Sequence, residues 1–312
     1  MLLSVVVPCY NEEENVGLFY KTIVNVFGTL MCKTELVFVN DGSTDGTFER
    51  LEKIYAKSPY RIKVVSFSRN FGKEAALLAG LRNAEGDLVA IIDADLQQRP
   101  EYVLQMMDIL KEHPEYDAVA AYQEHRKEGR VLTFFKDCFY KIIDKVTDVE
   151  MVRSASDFRL LRRKVVDAIC DLPEKCRFSK GIFSWVGFNT YYMPYVVEER
   201  AFGTTKWSFW KLFAYAIDGI VAFSTTPLVA ASFAGLVLCV VSGLLMGWII
   251  VKTLIWGDPV AGYPTLASLL LLTSGIQLLC TGIIGQYLAK NYTETKNRPV
   301  YVVKDLLDSS KK

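Results

Sequence analysis

Two carboxylates stand one residue apart at the end of an apolar stretch, in the segment IIDADLQQRP at 91–100. Asp93 and Asp95 would repel each other if both were ionised with no cation nearby. One interpretation is a turn in which both acids are solvated. The other is a divalent cation, because oxygen ligands suit Mg²⁺ and Mn²⁺, and Mg²⁺ commonly completes its shell with substrate phosphates. The spacing therefore favours a metal site that binds a diphosphate, with the solvated turn as the alternative.

Three further polar clusters follow apolar, β-branched stretches, where the strands of a sheet would end. They are PCYNEE at 8–13, NDGSTD at 40–45 and SRNFGK at 68–73. Each has a local explanation, since Asn11 and Asp45 suit helix N-caps and DGSTDG suits a turn. Four such clusters at the carboxyl edge of one sheet nevertheless favour a ligand site. The sequence contains neither G-x-G-x-x-G nor G-x-x-x-x-G-K-[ST]. It therefore lacks the glycine-rich loops that bind phosphate groups in the common dinucleotide-binding and P-loop proteins.

The elements that must position these clusters alternate between strand-like and helix-like periodicity. Strand-like stretches lie at 4–8, 34–41, 61–68, 87–95 and 118–122, and helix-like segments begin near Asn11, Asp45, Gly72 and Pro100. The strands are short and continuously apolar, which is typical of a parallel sheet covered by helices on both faces. This order predicts an α/β fold with an open, mostly parallel sheet, in a first domain at 1–200.

The C-terminal part contains two uncharged stretches, at 226–251 and 259–289. Each exceeds the roughly 20 residues that a helix needs to cross a bilayer, so we expect transmembrane helices at 226–256 and 264–290 rather than buried core helices. The connection between them has no Lys or Arg, whereas the tail at 291–312 has several. The positive-inside rule then predicts a multi-pass protein of the inner (cytoplasmic) membrane, with the first domain and both termini cytoplasmic. The near balance of 36 basic and 35 acidic residues does not indicate any class of partner, and we expect no nucleic-acid partner.

Two basic, amphipathic segments precede those stretches. The first has apolar residues at helical spacing within 131–146, next to the cations Arg126, Lys127, Arg130 and Lys136. The second covers 201–225, where Trp207 and Trp210 share one helical face with aliphatic residues. Basic amphipathic helices commonly lie in a membrane interface, although either segment could pack against a domain core instead. We expect both at the membrane surface because the two uncharged stretches follow.

Several motifs resemble those of family 2 glycosyltransferases with the GT-A fold, specifically the polyprenyl-phosphate glycosyltransferases related to dolichol-phosphate mannose synthase and the bactoprenol glucosyltransferases. They are VVVPCYNEEENV, VNDGSTDGT, SRNFGKEAALLAGL, DADLQQRPE, SDFRLLRRKVVDAI and RAFGTTKWSFWKL, followed by the two apolar stretches. The resemblance covers nearly the whole chain. The chain departs from the pattern at Gln98 and Arg99, where the family commonly has Asp-Pro, and at Thr205, where Ser is common. The first departure bears on the choice of acceptor or sugar.

The resemblance implies a nucleotide diphosphate sugar as the donor. The nucleotide-sugar site would comprise Pro8, Tyr10, Asn11, Glu12, Asp41, Ser43, Lys73, Asp93, Ala94, Arg200 and Lys206. Asp93, Asp95 and Gln97 would hold Mg²⁺ or Mn²⁺, with Asp93 directed toward the nucleotide. Arg200 and Lys206 would neutralise the diphosphate as it leaves.

The resemblance also implies a lipid acceptor, undecaprenyl or another polyprenyl phosphate, and an inverting displacement at the anomeric carbon of the sugar. Arg126, Arg130 and Lys136 would bind the lipid phosphate. A phosphate monoester has a second pKa of about 6 and is largely an anion at neutral pH, so a strong general base is dispensable. Asp157, with Asp95 the second catalytic candidate, matches the position that the family usually assigns to the base. We expect it to orient the acceptor or the sugar.

Several alternatives stay open. UDP-glucose is the predicted donor because the motifs are most similar to the bactoprenol glucosyltransferases, with GDP-mannose or a modified UDP-sugar as alternatives. A processive polysaccharide synthase would need a Q-x-x-R-W motif and more spans than this chain offers. A non-catalytic, membrane-tethered nucleotide-binding module is disfavoured by the intact D-x-D-x-Q motif, and a transporter by spans without charged residues. Family resemblance further predicts a homo-oligomer, such as a tetramer.

Overall fold

The computed structural model describes residues 1–28, 32–123, 155–198, 221, 224, 226–256 and 262–309. In these residues the strands are β1 (Leu2–Cys9), β2 (Lys33–Asn40), β3 (Arg61–Phe67), β4 (Leu88–Ile91), β5 (Ala118–Gln123), β6 (Ala155–Arg162), β7 (Thr190–Tyr195) and β8 (Val303–Asp308). The helices are α1 (Glu13–Phe27), α2 (Thr47–Lys57), α3 (Lys73–Asn83), α4 (Glu101–Glu112), α5 (Arg163–Asp171), α6 (Ser179–Trp185), α7 (Thr226–Trp256) and α8 (Tyr263–Thr295).

The strands form one sheet in the order β7-β5-β6-β4-β1-β2-β3-β8. Its centre is parallel, since β1 pairs with β2 and β4, and β2 pairs with β3, all in the parallel sense. The antiparallel members are β6, between β4 and β5, and β8, beside β3. The predicted α/β fold with a mostly parallel sheet is therefore confirmed, and every predicted strand and every helix start in the first 123 residues is present. The strands β6, β7 and β8 were not predicted.

Both faces of the sheet are buried, which explains why its strands are apolar throughout. Along β1, Val5 and Val7 face the cluster that contains Phe19 of α1, whereas Val6 faces the cluster that contains Leu77 of α3. All three valines are completely buried. Polar side chains are therefore confined largely to the strand ends, where the loops to the following helices begin.

The helices α7 and α8 are 31 and 33 residues long. Many of their large apolar side chains are exposed, including Leu254 at 80% and Leu278 at 73%. In the part of the chain that the structure describes, one stretch, Thr226–Leu245, has the length and apolarity of a membrane span, with a mean hydropathy of 2.5. This stretch lies inside the first predicted span. The second predicted span coincides with most of α8 and stays a prediction.

After α8 the chain returns to the sheet. The strand β8 pairs with β3, with Leu306 opposite Val65 and Val303 opposite Phe67. Sequence analysis assigned 291–312 only as a tail, because the periodicity of a short strand does not reveal a partner that is more than two hundred residues away. The strand β8 is thus part of the sheet of the first domain.

Candidate active site

The carboxyl edge of the sheet brings Asp93 and Asp157 together. Strand β4 pairs antiparallel with β6, with Ile91 opposite Arg159. Continuing that register by two residues places Asp93 opposite Asp157, although they are far apart in sequence. The Nζ atom of Lys73 joins them, at 2.9 Å from Asp93 Oδ1 and 3.1 Å from Asp157 Oδ2. Lys73, predicted as a nucleotide-sugar ligand, therefore bridges the predicted donor acid and the predicted acceptor acid.

The mutual attraction of these charged groups determines the protonation of Lys73 and Asp157. Partial desolvation disfavours the charge on Lys73, whose side chain is 40% exposed, but the carboxylates of Asp93 and Asp157 raise its pKa above the ordinary value. Burial alone would raise the pKa of Asp157, but Lys73, with Lys180 and Arg159, lowers it to about 2. Both partners are therefore fully charged at neutral pH. A carboxylate with so low a pKa is a weak proton acceptor, which suits an orienting role better than general-base catalysis.

Arg159 and Lys180 were not assigned a role from the sequence. Arg159 is buried on β6, donates to the Ser156 carbonyl oxygen at 2.8 Å, and lies over the Phe183 ring at 3.6 Å. Burial lowers the pKa of Arg159 to about 10. Lys180 and Phe183 both belong to α6, so this helix carries one of the cations that act on Asp157. Arg159 lies in the SDFRLLRR motif, so its proximity to Asp157 could have been foreseen. Nothing in the sequence around Lys180 indicates that it would lie close enough to affect Asp157.

Gln98 holds the first acid of the D-x-D pair. Its side chain is 6% exposed, accepts the Asp93 amide at 3.0 Å and donates to Asp93 Oδ2 at 3.3 Å. Asp95 Oδ1 accepts the Gln97 amide at 3.2 Å, and the Gln97 side-chain nitrogen donates to the Glu198 carbonyl at 3.4 Å. An amide that donates through nitrogen presents its oxygen as an acceptor, which is the atom that the predicted metal role of Gln97 requires.

The oxygen ligands offered by the protein fit a metal ion that protein and substrate would hold jointly. Among the described residues, no group of three His, Cys, Asp or Glu side chains is arranged to hold a metal ion. Asp93 and Asp95 supply two carboxylates, and Mg²⁺ is commonly bound by one or two carboxylates plus substrate phosphates and water. The residues therefore fit a metal that arrives with a diphosphate, and they do not form an all-protein cage.

The predicted nucleotide side of the site is built from three loops. The amide of Asn11 donates to Ser43 Oγ at 2.9 Å, and Asn11 Oδ1 accepts the Thr44 amide at 2.8 Å. Asn11 therefore joins two loops rather than capping α1, whose N-cap is Glu12. Asp45 does support the start of α2, because its Oδ1 accepts the Thr47 amide at 3.1 Å. Of the other predicted ligands here, Tyr10 is 37% exposed and Ala94 is buried, while Pro8 is a partly buried residue near the end of β1.

Asp41 is largely occupied by the third loop. Its carboxylate accepts the Phe71 amide at 2.7 Å and the Gly72 amide at 3.0 Å. Burial raises the pKa of Asp41, although these two amides and Arg69 oppose the shift. The carboxylate that was predicted to hold base and ribose thus also fixes the loop that leads to Lys73.

Some predicted residues lie outside the described part of the chain. They are the lipid-phosphate candidates Arg126, Arg130 and Lys136, and the diphosphate candidates Arg200 and Lys206. The predicted interfacial segment at 201–225 is likewise almost entirely outside it. Their assigned roles remain predictions.

Comparison with known proteins is consistent with this geometry. A family model described as glycosyl transferase family 2 matches residues 4–170. An uncharacterized glycosyltransferase of Synechocystis is 42% identical over 97% of this chain and 95% of its own length. A bactoprenol glucosyl transferase of Shigella phage SfII is 41% identical over 97% of this chain and 98% of its own length. The structure of glucosyl-3-phosphoglycerate synthase from Mycobacterium tuberculosis, with Mn²⁺, UDP and phosphoglyceric acid, covers 70% of this chain and 76% of that one, with 20% identity and a TM-score of 0.50. This last likeness concerns the fold alone.

Proposed function

This chain belongs to glycosyl transferase family 2, and from that premise we propose that it transfers glucose from UDP-glucose to a polyprenyl phosphate at the membrane surface. Glycosyl transfer itself follows from the family and from relatives that match nearly the full length of the chain. The finer proposal is supported by the bactoprenol glucosyl transferases among those relatives, which are 40–41% identical to it.

The observation that carries the proposal is the Lys73 bridge between Asp93 and Asp157. Asp93 begins the D-x-D pair on the donor side, and Asp157 lies opposite it on β6. A sugar whose diphosphate lies against Asp93 and Asp95 would therefore have its anomeric carbon close to Asp157. The acceptor phosphate would have to approach along the same edge of the sheet.

The proposed reaction is a single displacement. A lipid phosphate oxygen forms a bond to the anomeric carbon, the bond from that carbon to the UDP oxygen breaks, and configuration inverts. The electron pair of the broken bond stays on UDP, and the acceptor needs no base because its phosphate is already an anion. Asp157, ionised under these conditions, would accept a hydrogen bond from the sugar and keep its anomeric carbon in line. When bound at Asp93, Asp95 and Gln97, Mg²⁺ or Mn²⁺ would stabilise the charge on the departing diphosphate.

The membrane part of the proposal rests on α7 and α8. We propose that both span the bilayer as a two-helix anchor, which is supported by their length, their exposed apolar side chains and the absence of charge over 226–251 and 259–289. The catalytic domain and both termini would then lie on the cytoplasmic face of the inner membrane. Arg126, Arg130 and Lys136 would meet the lipid phosphate there. Assembly into a homo-oligomer remains a prediction from family resemblance.

A transfer assay in membranes tests the proposal. Radiolabelled UDP-glucose should give a labelled polyprenyl product with undecaprenyl phosphate, whereas GDP-mannose should give none. Asp95→Asn should remain folded and membrane-bound but lose transfer by roughly a hundredfold or more, because a charged ligand of the diphosphate site is lost. Full transfer in excess EDTA, or from Asp95→Asn, would contradict the metal assignment. Labelling from GDP-mannose alone would contradict the choice of donor.

A further inference from the structure

The loop at 68–72 connects β3 to α3. It contacts Asp41 and leads directly into Lys73, two residues of the candidate site. Its Phe71 and Gly72 amides donate to Asp41, at 2.7 Å and 3.0 Å. The next residue is Lys73, which opens α3 and bridges Asp93 and Asp157. A shift of this loop would therefore displace a predicted nucleotide ligand and the central cation together.

The opposite side of this loop is held by the C-terminal tail. The Ser68 amide donates to the Val302 carbonyl oxygen at 3.0 Å. The Tyr301 ring stacks on Phe67, with centroids 4.9 Å apart and planes 16° from parallel. The Phe71 ring meets Phe67 edge-on, with centroids 5.8 Å apart. Tyr301, Phe67 and Phe71 thus form a continuous aromatic row from the tail to the loop, and such pairs stabilise beyond the area that they bury.

The tail segment that carries Tyr301 is anchored at both ends. On one side β8 pairs with β3. On the other side, Glu294 near the end of α8 accepts the amides of Lys175 and Cys176, at 2.9 Å and 2.8 Å. Since both ends are bound to the catalytic domain, Tyr301 is a fixed support for the loop and not part of a loose chain end.

We propose that Tyr301 is a positioning residue of the active site, which holds the loop at 68–72 so that Asp41 and Lys73 face the donor. The ring carries this role through stacking on Phe67. Residues 301–302, between α8 and β8, are then part of the donor-binding machinery, and they link the end of α8 to it. The consequence for nucleotide affinity rests on the proposed function, whereas the consequence for the loop does not.

The test compares three variants of the full-length protein in detergent or nanodiscs. Tyr301→Ala removes the ring, Tyr301→Phe keeps it, and Leu306→Ala is a matched control on β8, since Leu306 is 48% exposed. The first measurement is hydrogen exchange of peptides that cover 68–74. We expect exchange there to accelerate roughly three- to tenfold in Tyr301→Ala, the range that the loss of one aromatic pair corresponds to, and to be unchanged in the other two.

The second measurement is the Kd for UDP in the presence of Mg²⁺. It should rise by about the same factor in Tyr301→Ala only. If wild type does not bind UDP, the proposed donor is wrong, and the exchange measurement still decides the role of Tyr301. Unchanged exchange at 68–74 in Tyr301→Ala would overturn the inference. Equal acceleration across the whole sheet would overturn it as well, because the tail would then stabilise the domain generally and not this loop.

Discussion

At the level of single residues, Lys73 connects the two halves of the site. The paired acids of the D-x-D motif raised the question of what offsets their charge, and sequence analysis answered with a divalent metal. The structure adds a second source of positive charge, because Lys73 contacts Asp93 through both carboxylate oxygens, at 2.9 Å and 3.0 Å. The same ammonium contacts Asp157, so the geometry of the proposed donor and acceptor sides depends on one side chain.

Replacing Lys73 by Met should leave Asp93 and Asp157 facing each other without the ammonium that joins them. We expect kcat/KM for sugar transfer to fall by at least about a hundredfold, because the remaining like charges would move apart and misplace the donor. Lys53→Met, at an exposed position on α2, serves as the control. Steady-state kinetics, with circular dichroism as a check of folding, measure the effect. Near-wild-type kinetics in Lys73→Met would show that the bridge has no role in turnover.

Asp157 makes a separate prediction about pH. Its folded pKa of about 2 is below the ordinary value of about 3.9, so the stability that its ion pair contributes is complete above about pH 4 and is lost as pH falls toward 2. Between pH 5 and 9 its charge is constant, and the pH–rate profile should carry no limb from it. Asp157→Asn should therefore lower kcat by roughly a hundredfold through misplacement and keep the shape of the profile. If the variant lost an acidic limb that wild type has, Asp157 would be the titrating base instead.

At the level of elements, the site depends on how closely the loops after β2 and β3 approach each other. Gly42 in the first loop has φ of +60°, and a Cβ there would lie 2.2 Å from the carbonyl carbon of Arg69 in the second. No side chain fits between these backbones. The close approach is what lets Asp41, one residue earlier, accept the amides of the second loop.

Gly42→Ala should consequently lower both stability and donor affinity. The left-handed backbone alone costs about 1–2 kcal/mol for a residue with a Cβ, and the contact with Arg69 adds to it. Gly17→Ala is the matched control, because Gly17 lies in α1 with open space around it and should gain about 0.5–1 kcal/mol from better helix propensity. Denaturant titration measures the free energy of unfolding of both variants. Equal values for the two would contradict the packing described for the loops.

At the level of the whole molecule, the two ends of the parallel sheet have different tasks. The carboxyl end carries the candidate site, and the amino end carries a buried ionic network. Glu35 is completely buried on β2, accepts the Ser4 hydroxyl and the Glu85 amide at 2.6 Å each, and pairs with Arg61 at 3.3 Å. Lys63, only 5% exposed, lies 3.8 Å from it. This network contributes to holding the strands together far from the chemistry.

Removing Glu35 should therefore affect stability and not catalysis. Glu35→Ala strips the Lys63 and Arg61 charges of a buried partner, and we expect the free energy of unfolding to fall by about 3 kcal/mol. The KM for the donor should stay within twofold of wild type below the melting transition, by the additivity of distant sites. Glu52→Ala, at an exposed position on α2, should change neither quantity. A large rise in KM for Glu35→Ala would show that the two ends of the sheet are coupled.

The sequence by itself determined the fold class, the central strands and the edge of the sheet that carries the candidate residues. Those features depend on local periodicity and on polar clusters such as Asn40–Asp45, and a few consecutive residues are enough to indicate a strand or a turn. The motifs around Asp93, Asp95 and Asp157 further identified the family. Local patterns thus placed the candidate residues at one edge of one sheet.

The tertiary structure alone decided which of these side chains touch. Lys73 lies 20 residues from Asp93, which it contacts, and Lys180 lies 23 residues from Asp157, whose pKa it lowers, and no periodicity relates such pairs. The antiparallel register of β6 brings Asp157 to the Lys73–Asp93 pair, and α6, which carries Lys180, packs on Arg159 of the same strand. Likewise, Tyr301 reaches Phe67 only because β8 returns to pair with β3. Strand register and long-range pairing are set by burial summed over the whole domain, so they cannot be inferred from any one segment.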